Sequence, residues 1–229
     1  MVVIPVYNHA STVAEIVRKS LKSGLDTLAV DDGSGPETQA ALRETGVRVL
    51  RLEKNTGKGA AILAGARAAA ESGHSHIITI DADMQHDPAD IVKFIKKINE
   101  SPTAIVAGER NLKAAGAPLS SRIGRRLSNS ALKLLAGVKI PDTQCGFRAY
   151  PARLLESLGC VSRRYDFEME VLARAARAGV PLETVKISVM YSADTQRNSN
   201  FKPFADVLRI LKICLRLLLK PGPNSTKTP

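Results

Sequence analysis

Residues 77 to 86 read Ile77-Ile78-Thr79-Ile80-Asp81-Ala82-Asp83-Met84-Gln85-His86, a short apolar run that ends in two carboxylates two positions apart. Such a run is a buried strand, so the chain delivers an Asp-x-Asp to that strand's own end. Paired hard oxygen ligands at the carboxyl edge of a sheet suit a divalent cation that also holds a nucleotide diphosphate. Two neighbouring acids more often form a solvated turn, but the preceding Ile-Ile-Thr-Ile places this pair at an exit from the core.

Working outward, strands and helices alternate with short connections, the pattern of an α/β protein whose mostly parallel central sheet is covered on both faces. Strands are predicted at Val2 to Val6, Thr27 to Val30, Val47 to Leu52, Thr103 to Ala107 and Thr184 to Tyr191. Thr12-x-x-Glu15 reads as a capping box for a helix whose Val13, Ile16, Val17 and Leu21 recur at helical spacing up to Gly24. Further helices are predicted from Pro36 to Thr45, from the Asn55-Thr56-Gly57-Lys58-Gly59 turn to about Gly73, and from His86-Asp87-Pro88 to about Asn99. Two more run from Arg122 to Ala136 and from Asp166 to Ala178. Lys113 to Ser121, rich in Ala, Gly, Pro and Ser, reads as a mobile loop, and Pro141 to Tyr150 as an irregular segment.

The chain of 229 residues, 44% hydrophobic, is long enough for one sizeable α/β domain. Its three cysteines show no Cys-x-x-Cys spacing, which argues against a disulfide scaffold or zinc site and for a reducing cytosol. Met1-Val2-Val3-Ile4-Pro5 starts a strand and not a signal peptide. A net charge of +11 invites anionic partners. With no Trp and few Phe or Tyr to stack on bases, a nucleic-acid partner is not expected. No feature of the sequence sets an oligomeric state.

Asp31-Asp32 also follows an apolar run, so both acid pairs belong on the carboxyl edge of a parallel sheet, although Asp32-Gly33-Ser34 alone would read as a β-turn. A metal held by Asp81 and Asp83, with Gln85 as a further oxygen donor, would be Mg²⁺ or Mn²⁺. Lys58 sits among glycines that let backbone approach a ligand, without the spacing of a P-loop. Arg110 follows a strand on the same edge. Arg122, Arg125 and Arg126 crowd a predicted helix start, where an anion would relieve them and a solvated basic face is the alternative. Asp166 and Glu168 are candidate proton acceptors, or simply acids at a helix N-terminus. Near the C-terminus, Arg209, Lys212, Arg216 and Lys220 share one face of a helix of interfacial type, too broken by charge to span a bilayer. The expected organisation is a catalytic domain over residues 1–203, this basic amphipathic helix over 204–220 and a polar tail over 221–229.

Val3-Ile4-Pro5-Val6-Tyr7-Asn8, Asp31-Asp32-Gly33-Ser34, Asn55-x-Gly57-Lys58-Gly59, Asp81-Ala82-Asp83-Met84-Gln85-His86 and Asp142-x-x-Cys145-Gly146-Phe147-Arg148 stand in the order found in glycosyltransferase family 2. The chain resembles its dolichyl or polyprenyl phosphate sugar synthases over roughly residues 1–200. The resemblance implies a GT-A (Rossmann-like) fold, a nucleotide-sugar donor of the GDP-mannose or UDP-glucose type, Mg²⁺ or Mn²⁺, and inversion at the anomeric carbon. It implies a polyprenyl-phosphate or other lipid acceptor, with a hydroxyl on a glycolipid or glycan as the alternative, at the cytoplasmic face of a membrane. By the same resemblance Pro5, Tyr7, Asn8, Asp32, Lys58, Asp81 and Ala82 would hold the donor, and Asp81, Asp83 and Gln85 the metal. Asp83, Arg110, Arg122 or Arg126, Glu168 and Arg197 would carry the chemistry, the arginines on the acceptor phosphate and over the donor. His9 departs from the Glu of many relatives, and the chain lacks the Gln-x-x-Arg-Trp of processive polysaccharide synthases.

Overall fold

The computed structural model describes residues 1–117, 119–164 and 166–190. Predicted site residue Arg197 and the 204–220 helix lie outside them. Among the described residues seven strands form one sheet in the order β3-β2-β1-β4-β6-β5-β7. They are β1 (Val2–Val6), β2 (Thr27–Asp31), β3 (Arg48–Arg51), β4 (His76–Thr79), β5 (Ile105–Arg110), β6 (Arg148–Pro151) and β7 (Leu182–Ile187). Only β6 runs antiparallel to its neighbours, β4 and β5.

The sheet separates two cores. Along β1 the side chains alternate, Val3 joining one and Val2, Ile4 and Val6 the other, as the period of two demands. Val3, Leu28, Val30, Ile77 and Tyr150 pack under α3 (Lys58–Glu71), α6 (Leu154–Ser157) and α7 (Phe167–Arg177). Ile4, Val6, Ile78, Val106 and Phe147 pack under α1 (Val13–Leu21), α2 (Pro36–Thr45) and α4 (Ile91–Glu100). The alanine-rich α3 lies close to the sheet: a Cβ at Gly65 would strike the Val3 and Val30 side chains.

β1 and β4 are neighbours whose chain connections depart in opposite directions, so the topological switch point lies between them. The carboxyl ends of β1, β2, β4 and β5 share one edge, and antiparallel β6 begins there. That edge therefore collects Tyr7 to His9, Asp31-Asp32, Asp81 to Gln85, Arg110 and the segment before Arg148.

The structure departs from the sequence expectations in four places. The supposedly irregular 141–150 stretch contains the first residues of β6, hidden because a central strand buried on both faces has no apolar alternation. The 113–121 stretch is partly helical, since α5 runs from Leu119 to Ala136. The 88–99 helix opens with a 3-10 turn at Pro88–Asp90 before α4 begins. Finally, the capping box is not made: Thr12 is the N-cap of α1 but its side chain does not cap the helix. Its hydroxyl instead donates to the Ala82 carbonyl at 2.6 Å, tying α1 to the loop between the two acids. Thr12→Val is expected to lose about 1 kcal/mol in denaturant unfolding and several-fold in turnover, because the loop is held through this bond. No described helix is long and apolar enough to cross a membrane.

Candidate active site

Lys58 is the centre of the site. Its Nζ lies 2.5 Å from Asp81 Oδ1 and 2.7 Å from Glu168 Oε1, bridging the end of β4 to the first turn of α7. The lysine is only 15% exposed and Glu168 4%. Burial alone would lower the Lys58 pKa, but the two carboxylates hold it well above the usual value.

The glycines around Lys58 serve this bridge. Gly57 has φ +98°, and a Cβ there would strike the Arg163 carbonyl; one at Gly59 would strike the Phe167 ring. Gly59 N donates to Arg163 O at 2.8 Å. The absent side chains thus admit the 163–167 segment against α3. Asp32 fixes the same loop from below, its carboxylate accepting from Thr56 N (2.7 Å), Thr56 Oγ1 (2.8 Å) and Gly57 N (2.8 Å). Asp31 is likewise engaged, by Ser34 N and Arg51 Nη1, each at 2.8 Å. Both acids of the first pair are buried structural anchors at the predicted edge.

The second pair behaves differently. Burial pushes the Asp81 carboxyl up, but Lys58, His86 and Arg110 outweigh it and the net shift is downward. Asp83 rises to about 7 through burial and the neighbouring Asp81 charge, despite the 3.0 Å bond it accepts from Gln85 N. Met84 between them takes φ +63°, a turn that L residues rarely adopt. Burial, more than the neighbouring Asp81 and Lys58 charges, holds the His9 pKa below the usual imidazole range. Asn8, also left-handed at φ +56°, accepts from Gly35 N at 3.0 Å, while its own N–H donates to Ser34 Oγ at 3.1 Å. Tyr7 beside it is 38% exposed.

Arg110 closes the other side. Its Nε and Nη2 donate to the two oxygens of Asp142 at 2.7 and 2.9 Å, a fork that keeps the buried carboxylate charged although burial opposes it. Arg125 reaches the same point, with Nη1 2.7 Å from the Arg110 carbonyl. Arg122, half-buried, is the fourth residue of α5, which begins three residues earlier than predicted, and exposed Arg126 lies one turn further on. Fully buried Arg148 donates to the carbonyls of Cys145, Glu168 and Thr143, stapling the 142–146 segment to α7.

The sequence reading gave no role to Asp142 or Arg148, and named Arg125 only within the cationic cluster at a helix start. Asp142 and Arg148 end the fifth quoted motif, which was signal enough. Arg125 stood out as one of three clustered cations, but its turn inward to the Arg110 carbonyl depends on the rotation of the helix, which the cluster does not show. Gly146, in the same motif, leaves the space that Asp81 and Lys58 occupy, since a Cβ there would collide with both. Gly146→Ala is expected to lower turnover at least about tenfold, through displaced catalytic groups, with an ordinary loss of stability; initial rates beside thermal unfolding check it.

The acid pair and the bridging lysine thus meet beside the switch point of the sheet. The model of the family "Glycosyl transferase family 2" matches residues 1–159, and the chain belongs to that family. It is 28% identical to the UDP-N-acetylglucosamine–dolichyl-phosphate N-acetylglucosaminyltransferase of Methanococcus voltae over 95% of this chain and 94% of that protein. It is also 28% identical to an undecaprenyl-phosphate 4-deoxy-4-formamido-L-arabinose transferase of Pseudomonas paraeruginosa, over 95% of this chain and 63% of that one. Among solved structures it resembles Mycobacterium tuberculosis glucosyl-3-phosphoglycerate synthase in complex with Mn²⁺, UDP and glucosyl-3-phosphoglycerate. The TM-score is 0.69 at 19% identity, over 98% of this chain and 80% of the other, a likeness of fold.

Proposed function

We propose that this glycosyltransferase moves a hexose from a nucleotide sugar, of the GDP-mannose or UDP-glucose type, to the phosphate of a polyprenyl or dolichyl lipid at the membrane surface, with inversion at C1. The observation that carries the acceptor is the Lys58 bridge. Of the two candidate bases, Asp166 and Glu168, Glu168 is buried and ion-paired at 2.7 Å, a poor state in which to take a proton from a hydroxyl. A phosphate acceptor needs no such base, because its oxygens are already anionic at neutral pH. The similarity to enzymes named for polyprenyl-phosphate acceptors points the same way.

Asp81, Asp83 and Gln85 would hold Mg²⁺ or Mn²⁺. The donor set fits: the groups are hard oxygens, and the carboxyl pushed up to about 7 at Asp83 marks a negative charge that the surrounding cations leave uncompensated. When bound, the metal would stabilise charge on the departing nucleoside diphosphate. The chain's own groups do the rest. Tyr7, Asn8 and the Asp32-anchored loop form the nucleoside side, Lys58 fixes the Asp81 carboxylate, and Arg110 with its Asp142 fork faces the acceptor. An acceptor phosphate oxygen forms the new bond to C1 as the C1–O bond to the diphosphate breaks, the electron pair leaving with the nucleotide.

Labelled UDP- and GDP-sugars offered with polyprenyl phosphate or with the corresponding neutral lipid alcohol test this reading. Transfer to the phosphate alone, lost with EDTA and restored by Mn²⁺, is expected. Transfer confined to the alcohol would sink the phosphate acceptor.

A further inference from the structure

Helix α5 (Leu119–Ala136) has two apolar faces. One is turned inward, where Ser128, Leu132 and Leu135 are buried and the helix packs on α7. The other stands in water: Leu119 is 62% exposed, Ile123 47%, Leu127 52% and Leu134 87%. At helical spacing these four fall within about 80° of the circumference, roughly opposite the buried side. Surface helices of globular domains place polar residues there. Of the ten large hydrophobic side chains exposed among the described residues, four belong to this one helix.

The charges on α5 are one-signed. It carries Arg122, Arg125, Arg126 and Lys133 and neither Asp nor Glu. Arg125 turns inward to the Arg110 carbonyl, whereas Arg126 and Lys133 are exposed and, with half-buried Arg122, lie along one side of the apolar stripe. An apolar stripe rimmed by cations and free of acids matches an anionic bilayer: the hydrocarbon side chains enter the acyl boundary while the basic rim meets lipid phosphates. The helix also borders the site. Asn129 Nδ2 donates to Pro141 O at 2.7 Å and Thr143 N donates to Asn129 Oδ1 at 3.1 Å, so α5 holds the segment whose Asp142 grips Arg110.

From these observations we infer that α5 is a docking helix, lying in the plane of an anionic membrane surface with Leu119, Ile123, Leu127 and Leu134 inserted. Its use in catalysis rests on the lipid-acceptor reading, because it would set the Arg110 side of the site at headgroup level. The basic segment over 204–220, expected from sequence to meet the membrane, lies outside the described residues and is left intact in the variants that test α5.

Vesicle co-sedimentation of the full chain tests the inference. Wild-type protein is expected to bind phosphatidylcholine vesicles containing about 30% phosphatidylglycerol at least about tenfold more tightly than phosphatidylcholine alone. Leu127→Ser/Leu134→Ser should weaken that binding about tenfold or more with thermal unfolding unchanged, whereas Val92→Ser, at an equally exposed site on α4, should not. Turnover of the double variant on a water-soluble short-chain prenyl phosphate should stay within about twofold of wild type, since neither leucine touches the site. Undiminished vesicle binding by the double variant overturns the inference, as does an equal loss in Val92→Ser. Self-association that the leucine substitutions abolish, without vesicle binding, also overturns it. If vesicle binding behaves as expected but wild type ignores the short-chain phosphate, the docking helix stands and the acceptor reading falls.

Discussion

Replacing Lys58 with methionine is expected to reduce turnover by about two orders of magnitude or more and to destabilise the fold by about 3–5 kcal/mol. The side chain is the shared counter-ion of Asp81 and Glu168, both within 2.7 Å, and Glu168 at 4% exposure has little water to replace it. Without it, Asp81, Asp83 and Glu168 are acids gathered at one exit from the core with no lysine among them, and the Asp81 carboxyl must rise. Adding Glu168→Gln removes one of the orphaned charges. Lys58→Met/Glu168→Gln should therefore regain part of the lost stability while turnover stays low, because Asp81 still lacks its partner. Denaturant unfolding beside initial rates separates the two effects. A double variant as unstable as the single one would place the loss in packing around the lysine stem, not in charge.

The sheet was largely legible because its strands end in turn chemistry. The run from Ile77 to Ile80 and the Val2 to Val6 run are both apolar and both stop at polar residues, so their carboxyl ends could be put on one edge from sequence. Strand β6 escaped for a physical reason. Arg148, which opens it, is a charged residue at zero exposure, satisfied by three backbone carbonyls, those of Thr143 and Cys145 just before it and that of Glu168 on α7. Local patterning has no means of showing such compensation.

The site divides in the same way. The carboxylates of the second acid pair and Lys58 could be named because their spacing and neighbours carry the chemistry. Which groups hold one another could not. Asp31 and Asp32 could be placed at the edge from sequence, but not the backbone N–H groups, the Thr56 hydroxyl and the Arg51 guanidinium from which their oxygens accept. Thr12 has the spacing of a cap and serves the Ala82 carbonyl instead. A short polar side chain has several partners within reach, and tertiary packing chooses among them.

For Asp83→Asn the expected result is loss of at least about two orders of magnitude in metal-dependent transfer together with a more stable protein above neutral pH. The sign follows from the carboxyl held at about 7 in the fold, against about 3.9 in the unfolded chain. Between those values the folded state binds the extra proton, so stability falls as pH rises from about 4 to 7 and the full penalty is present above 7. A three-unit rise is worth ~4 kcal/mol; the carboxylate is only half-buried, which reduces the expected penalty to about 2 kcal/mol. The asparagine variant carries no charge to desolvate and no repulsion from Asp81, so its unfolding free energy should vary less over that window and exceed that of wild type at pH 8. Mn²⁺ should reverse the order. A cation at the pair stabilises only the protein that can still present the carboxylate, and by mass action that gain grows with free metal and with pH, as the competing proton leaves. Thermal unfolding at pH 5 and pH 8, with EDTA or Mn²⁺, reads both effects. Equal Mn²⁺ stabilisation of wild type and variant would remove Asp83 from the metal site and leave Asp81, already held by Lys58, as the remaining acid of the pair.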